Sequence, residues 1–150
     1  MNSQEEKFNC FIEETELEGM RLTGSEFLKK PEFDDYEFNE LKKSLIYNVE
    51  QIVADDEAIF IHVCWVLTLK KGNKVLTKIK VCYELAYSMS EHFDDDVATH
   101  FVYRVVKPTT YPYLRQKINR ISEDAYLGIP PLPMLKFLPT NSHAKEVIEN

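Results

Sequence analysis

Four histidines, three cysteines and two acidic runs are the side chains of this 150-residue sequence best suited to hold a metal or move a proton. His62, His92, His100 and His143 show no ligand spacing, and His92 and His100 lie across a predicted helix start, facing different directions. Histidines so scattered are structural or surface groups far more often than ligands. Asp94-Asp95-Asp96 lacks the spaced oxygens of a calcium loop and suits a helix N-cap better. Asp55-Asp56-Glu57 reads as a solvated turn. Cys10, Cys64 and Cys82 are odd in number, widely separated and free of any CxxC pair. Cys64 and Cys82 fall inside strand patterns, where free cysteine acts as a small apolar residue, so reduced thiols are expected. Four glycines leave no phosphate cradle and no nucleophile elbow. No catalytic residue, metal or cofactor is therefore expected, and the chain does not read as an enzyme.

Binding is better represented. From Tyr111 the pattern predicts a helix, with Pro112 in its first turn and Thr109 or Thr110 as cap. Leu114, Ile118, Ile121 and Ala125 recur at helical spacing. Gly128 follows Leu127 as a helix stop, and Pro130 forbids continuation. The next stretch, Ile129 to Leu138, is mostly apolar, yet Pro130, Pro131 and Pro133 keep it extended. A stiff apolar loop of this kind either walls a surface groove or caps one end of the core. A charge at Leu132 or Met134 separates these: it weakens binding of whatever lies in the groove in the first case and unfolds the protein in the second.

The elements needed to position that loop are legible upstream. Ala58 to Leu69 is the clearest strand, presenting Ile59, Ile61, Val63, Trp65, Leu67 and Leu69 on one face. The Lys70-Lys71-Gly72-Asn73-Lys74 turn leads into a return strand, Val75 to Met89, with Lys78, Lys80 and Glu84 on its wetter side. Thr15 to Thr23 and Leu41 to Val53 read as two more strands, separated by an acidic connection from Ser25 to Glu40. A helix over Ser3 to Glu14 is compatible with the pattern. Asp94 to Lys107 reads as a helix stopped by Pro108, with a strand as the competing reading. A short helix through Ala144, Val147 and Ile148 fits the tail.

The formal net charge of −7 is uneven: residues 1–57 carry 16 acids and 6 bases, residues 58–150 carry 9 acids and 12 bases. An acidic first third argues against nucleic acid as the main partner. The lysines at 70, 71, 74, 78 and 80 are read as a solvated hairpin tip that blocks edge pairing. No signal-peptide pattern and no apolar run long enough for membrane insertion is found, which leads to a cytoplasmic expectation. The length fits one domain, with residues 1–14 and 139–150 as flexible ends.

The order Tyr111-Pro112-Tyr113-Leu114-Arg115, helix, glycine, proline-rich loop resembles the C-terminal half of the SecB protein-export chaperones. Tyr111, Pro112, Tyr113, Arg115, Ile118, Pro130, Leu132 and Pro133 carry the likeness, which extends through the Ala58–Met89 hairpin to cover roughly Thr15 to Phe137. It implies an α+β fold: a four-stranded antiparallel sheet of meander or Greek-key order with two helices packed on one face. It also implies sheets joined edge to edge and a homotetramer built as a dimer of dimers. The implied function is ATP-independent holding of unfolded or precursor polypeptides. The implied groove involves Trp65, Tyr113, Tyr126, Leu127, Ile129, Leu132, Met134 and Phe137. Val81 to Tyr87 lacks the family's glycine pair, and the tail is shorter and less extended. Both regions serve docking on the export motor SecA, for which Glu16, Glu18 and Glu84 are candidates. A chaperone dedicated to a toxin–antitoxin pair fits equally well. From another class, a hot-dog or cystatin-like enzyme or ligand-binding domain would use the same helix-on-sheet arrangement as a closed apolar pocket.

Overall fold

The computed structural model describes residues 3–89 and 94–133. Met134, Phe137 and the tail helix expected near Ala144 lie outside the described residues, as do His92 and His143. Helix α1 (Ser3–Glu13) leads into β1 (Glu16–Lys29). A connection with two short 3₁₀ turns, Pro31–Asp35 and Phe38–Glu40, precedes β2 (Lys42–Ala54), β3 (Ala58–Lys71) and β4 (Lys74–Ser88). Helices α2 (Asp95–Phe101) and α3 (Lys107–Asp124) follow. The strands form one antiparallel sheet in the order β1-β4-β3-β2. This is Greek-key order: β2, β3 and β4 meander, and β1 returns beside β4.

The alternation along β3 and β4 decides which side is dry. Ile59, Ile61, Val63, Trp65, Leu67 and Leu69 are buried, as are Thr77, Ile79, Val81, Tyr83, Leu85 and Tyr87 opposite them. Helices α2 and α3 lie on this face through Val97, Phe101, Tyr111, Leu114 and Ile118, and the segment between them adds Val106. Helix α1 anchors to α2 by Phe11, whose ring meets Phe101 edge-on at 5.4 Å. The lysines of the hairpin tip have partners as well as solvent. Lys74 pairs with Glu32 at 3.0 Å and Lys71 lies over the Tyr36 ring, so the tip holds the β1–β2 connection as it crosses the end of the sheet.

The sequence expectation of two helices divided at Pro108 needs correction. A π-helical turn, Val102–Val106, joins α2 to α3, so the chain stays helical from Asp95 to Asp124. Proline lacks an N–H and its ring clashes with the carbonyl four residues back. The wider turn absorbs this: the Lys107 amide reaches back five residues to the Val102 carbonyl. The Thr109 hydroxyl donates to the Val105 carbonyl at 2.7 Å. Thr110 is thus no cap. It is fully buried, and its Oγ1 accepts from Trp65 Nε1 at 2.9 Å while donating to the Lys107 carbonyl. Asp94 does cap its helix, accepting from the Val97 amide at 2.9 Å.

A second correction concerns the thiols. Cys64 and Cys82 face each other directly across β3 and β4, with Cα atoms 4.1 Å apart, and form a disulfide. Such a separation belongs to the closer type of antiparallel pair, in which side chains nearly touch. The pair lies on the face away from the helices; Cys10 is free and exposed.

Trp65 to Phe should cost about 2 kcal/mol, since it strips a buried hydrogen bond and leaves space beside Thr110. The melting temperature should fall by roughly 4–8 °C in a calorimetric scan. An unchanged midpoint would show that the indole N–H contributes nothing.

Candidate functional site

The helices do not cover the sheet evenly. β1 is an edge strand, and two register shifts, between Leu17 and Gly19 and between Leu22 and Gly24, each insert one residue. Those bulges bring Leu17, Met20, Leu22, Ser25 and Phe27 to the helix side, opposite Tyr87, Leu85, Tyr83, Val81 and Ile79. Met20 packs on the core, but Leu17, Leu22 and Phe27 remain 47%, 47% and 43% exposed. An apolar row is thus left open beside α3.

Between that row and α3 runs a cleft of about 190 Å³ lined by Leu22, Tyr83, Tyr113, Gln116, Lys117 and Arg120. Leu22 and the two tyrosine rings supply its apolar surface. Gln116, Lys117 and Arg120 supply donors along the α3 wall. Tyr113 is 53% exposed. Burial pushes the Tyr83 phenol up to about 12, so it stays neutral and able to donate or accept at physiological pH. No carboxylate or histidine lines the cleft among the described residues.

The expected groove residues divide sharply. Trp65, Leu127, Ile129 and Leu132 are buried in the core, whereas Tyr113 and Tyr126 are exposed. The start of the proline-rich loop is tied down rather than free. Leu127 and Ile129 fold back over the end of α3, where the Ile129 amide donates to Ser122 Oγ at 2.9 Å. The Tyr111 hydroxyl donates to the Pro133 carbonyl. Tyr111 in turn packs at a tilt against Trp65, ring centroids 5.5 Å apart. Within the described residues, the loop therefore closes one end of the core. Leu22, Tyr83, Gln116, Lys117 and Arg120, which line the cleft, were not singled out from sequence as site residues.

Neither a family model nor a curated protein sequence matches the chain. The likeness is in three dimensions. The solved structure of Mycobacterium tuberculosis Rv1957 SecB-like chaperone, in complex with a ChAD peptide from the Rv1956 HigA1 antitoxin, has a TM-score of 0.65 to this chain. It is 14% identical and the match covers 91% of this chain and 100% of that one. The fold is SecB-like. A protein of unknown function from Streptococcus agalactiae is also similar, with a TM-score of 0.42 and 12% identity over 83% of this chain and 98% of that chain.

At the C-terminal end of α3, the SecB-like fold here departs from the glycine stop expected at Gly128. The helix ends at Asp124, and Tyr126 takes φ +53°. The Leu127 amide reaches the Ser122 carbonyl at 2.9 Å and the Tyr126 amide the Glu123 carbonyl. This is a Schellman closure with tyrosine in the position glycine usually fills. Gly128, at φ +66°, makes the next bend. The Tyr126 side chain is 90% exposed, so packing does not repay the left-handed backbone.

Tyr126 to Gly should therefore stabilise the fold by about 1 kcal/mol, raising the melting temperature by roughly 2–4 °C. A lower midpoint would mean that the ring makes stabilising contacts after all.

Proposed function

We infer that this SecB-like protein is a chaperone that holds extended, non-native polypeptide along β1 and in the cleft against α3, without nucleotide. The observation that carries this reading is the half-exposed row Leu17, Leu22 and Phe27, which runs beside Tyr113 on the uncovered side of an edge strand. Apolar burial and aromatic contact tolerate many partner sequences. The donors of Gln116, Lys117 and Arg120 along one wall favour segments in which acidic residues or free carbonyls alternate with apolar side chains. Tyr126, exposed and held in a costly conformation, adds an aromatic contact next to the same helix. Met134 and Phe137, outside the described residues, are further proposed client contacts. Trp65, Leu127, Ile129 and Leu132 support it from within.

Two client assignments remain as proposals, and the comparison favours one. The similar mycobacterial chaperone was solved with an antitoxin peptide, which supports an antitoxin-like client for this chain over delivery of precursors to SecA. Of the acidic residues considered for SecA docking, Glu84 is occupied by Arg21 at 2.7 Å. The open cleft, with neither carboxylate nor histidine among its described lining residues, supports a binder over a hot-dog or cystatin-like enzyme. A cytoplasmic homotetramer, a dimer of dimers with sheets joined edge to edge, completes the reading. No helix among the described residues is long and apolar enough to cross a membrane.

Aggregation of a chemically unfolded client should be suppressed in the absence of ATP. Leu22 to Glu should weaken binding about tenfold to hundredfold, the equivalent of losing one apolar anchor worth roughly 1.5–3 kcal/mol, and leave the thermal midpoint unchanged. Leu132 to Glu should instead unfold the protein, because it places a charge in the core. A Leu22 to Glu variant that binds normally would sink the cleft. Separately, multi-angle light scattering should return four times the sequence mass; a monomer at micromolar concentration would remove the edge-to-edge assembly.

A further inference from the structure

The face of the sheet turned away from the helices carries a second cluster. Cys64 and His62 sit two residues apart on β3, so their side chains share this face. Cys82 is opposite Cys64 on β4. One ring nitrogen of His62 and the two sulfurs all lie within 4.8 Å of one another. Thr23, in the second bulge of β1, reaches across β4: its Oγ1 is 2.8 Å from His62 Nε2 and fixes the ring. Gly24, opposite Cys82, brings no side chain over the sulfurs.

We propose that, when the Cys64–Cys82 disulfide is reduced, the two cysteines and His62 form a thiolate-rich site for a divalent zinc ion. The disulfide takes up two electrons and two protons from a thiol or phosphine reductant and becomes two thiols. Zinc then displaces both thiol protons to solvent and keeps its own oxidation state. Two thiolates neutralise its charge, the imidazole is the third ligand, and water takes the fourth position. Tetrahedral zinc with these ligands places donor atoms about 3.5–3.8 Å apart. The cluster therefore needs only the opening of one bond and a small inward shift of the ring. Oxidation closes the site by rejoining the sulfurs, which makes metal binding and the disulfide mutually exclusive. The site is on the opposite face from the cleft, so its occupancy can be read apart from client binding.

The test uses the full chain in a Cys10 to Ser background, so that the third thiol does not contribute. Protein reduced with a phosphine under argon should take up one zinc ion per chain in competition with a chromogenic chelator. Cobalt should give the intense visible bands of a tetrahedral site and a thiolate-to-metal charge-transfer band. The oxidised protein should bind neither. His62 to Ala should weaken zinc binding at least about tenfold, and Cys82 to Ser should abolish the charge-transfer band. Failure of the reduced chain to take up stoichiometric zinc overturns the proposal, as does equal affinity in the His62 to Ala variant. The cobalt spectrum of the parent chain reports the ligand set even where a variant folds poorly.

Discussion

One buried hydrogen bond ties the two layers together. Trp65 projects from the central strand β3 into a dry interface and donates its only polar hydrogen to Thr110, on α3. Its ring also stands in a row of aromatics. Tyr103 and Tyr47 lie 5.7 Å apart, Tyr47 and Trp65 4.8 Å, and Trp65 and Tyr111 5.5 Å. Tyr47 extends the same tie by donating to the Val102 carbonyl at 2.7 Å, and burial raises its pKa. Tyr111 passes it on to Pro133. The π-helical turn carries the helix past Pro108 without breaking it, and Thr110 meets the indole from within that continuous helix. Sheet position, helix register and the start of the loop thus depend on one set of contacts.

The sheet and most of its faces could be read from sequence because the signal is local. Period-two burial along Ala58–Leu69 and Val75–Met89 follows directly from residue type, and Asp94 is a cap by chemistry alone. The continuous helix was not legible, since Pro108 normally ends one and the compensating π turn has no composition of its own. Thr110 illustrates the same limit: a threonine just before a Tyr-Pro reads as a cap until a tryptophan 45 positions away claims its oxygen.

The cleft is not legible in the sequence for a related reason. Each bulge in β1 shifts the alternation by one residue, so Leu17, Leu22 and Phe27 look unrelated in the sequence but share a face in the sheet. The proline-rich loop misled in the opposite sense. Stiff backbone and apolar side chains describe a wall and a plug equally well, and only the position of Ser122 and Tyr111 beneath it distinguishes them. His62, Cys64 and Cys82 likewise have no metal spacing along the chain; the antiparallel register creates their proximity.

The Greek-key order has a consequence for how this chain comes off the ribosome. Glu16 pairs with Ser88 and Lys29 with Thr77, so β1 is made long before its partner. At roughly 5–20 residues per second, several seconds pass before β4 emerges. During that interval β1 has an unsatisfied edge on both sides and its apolar row in water. Pairing over such sequence distance is slow to nucleate, because loop closure must be met before contacts reward it. The glycines and charges that interrupt β1, Gly19, Gly24, Glu16, Glu18, Arg21 and Glu26, then act as gatekeepers against premature self-association. An edge strand that keeps part of its apolar row exposed in the finished fold has the same row to shield while its partner is still being made.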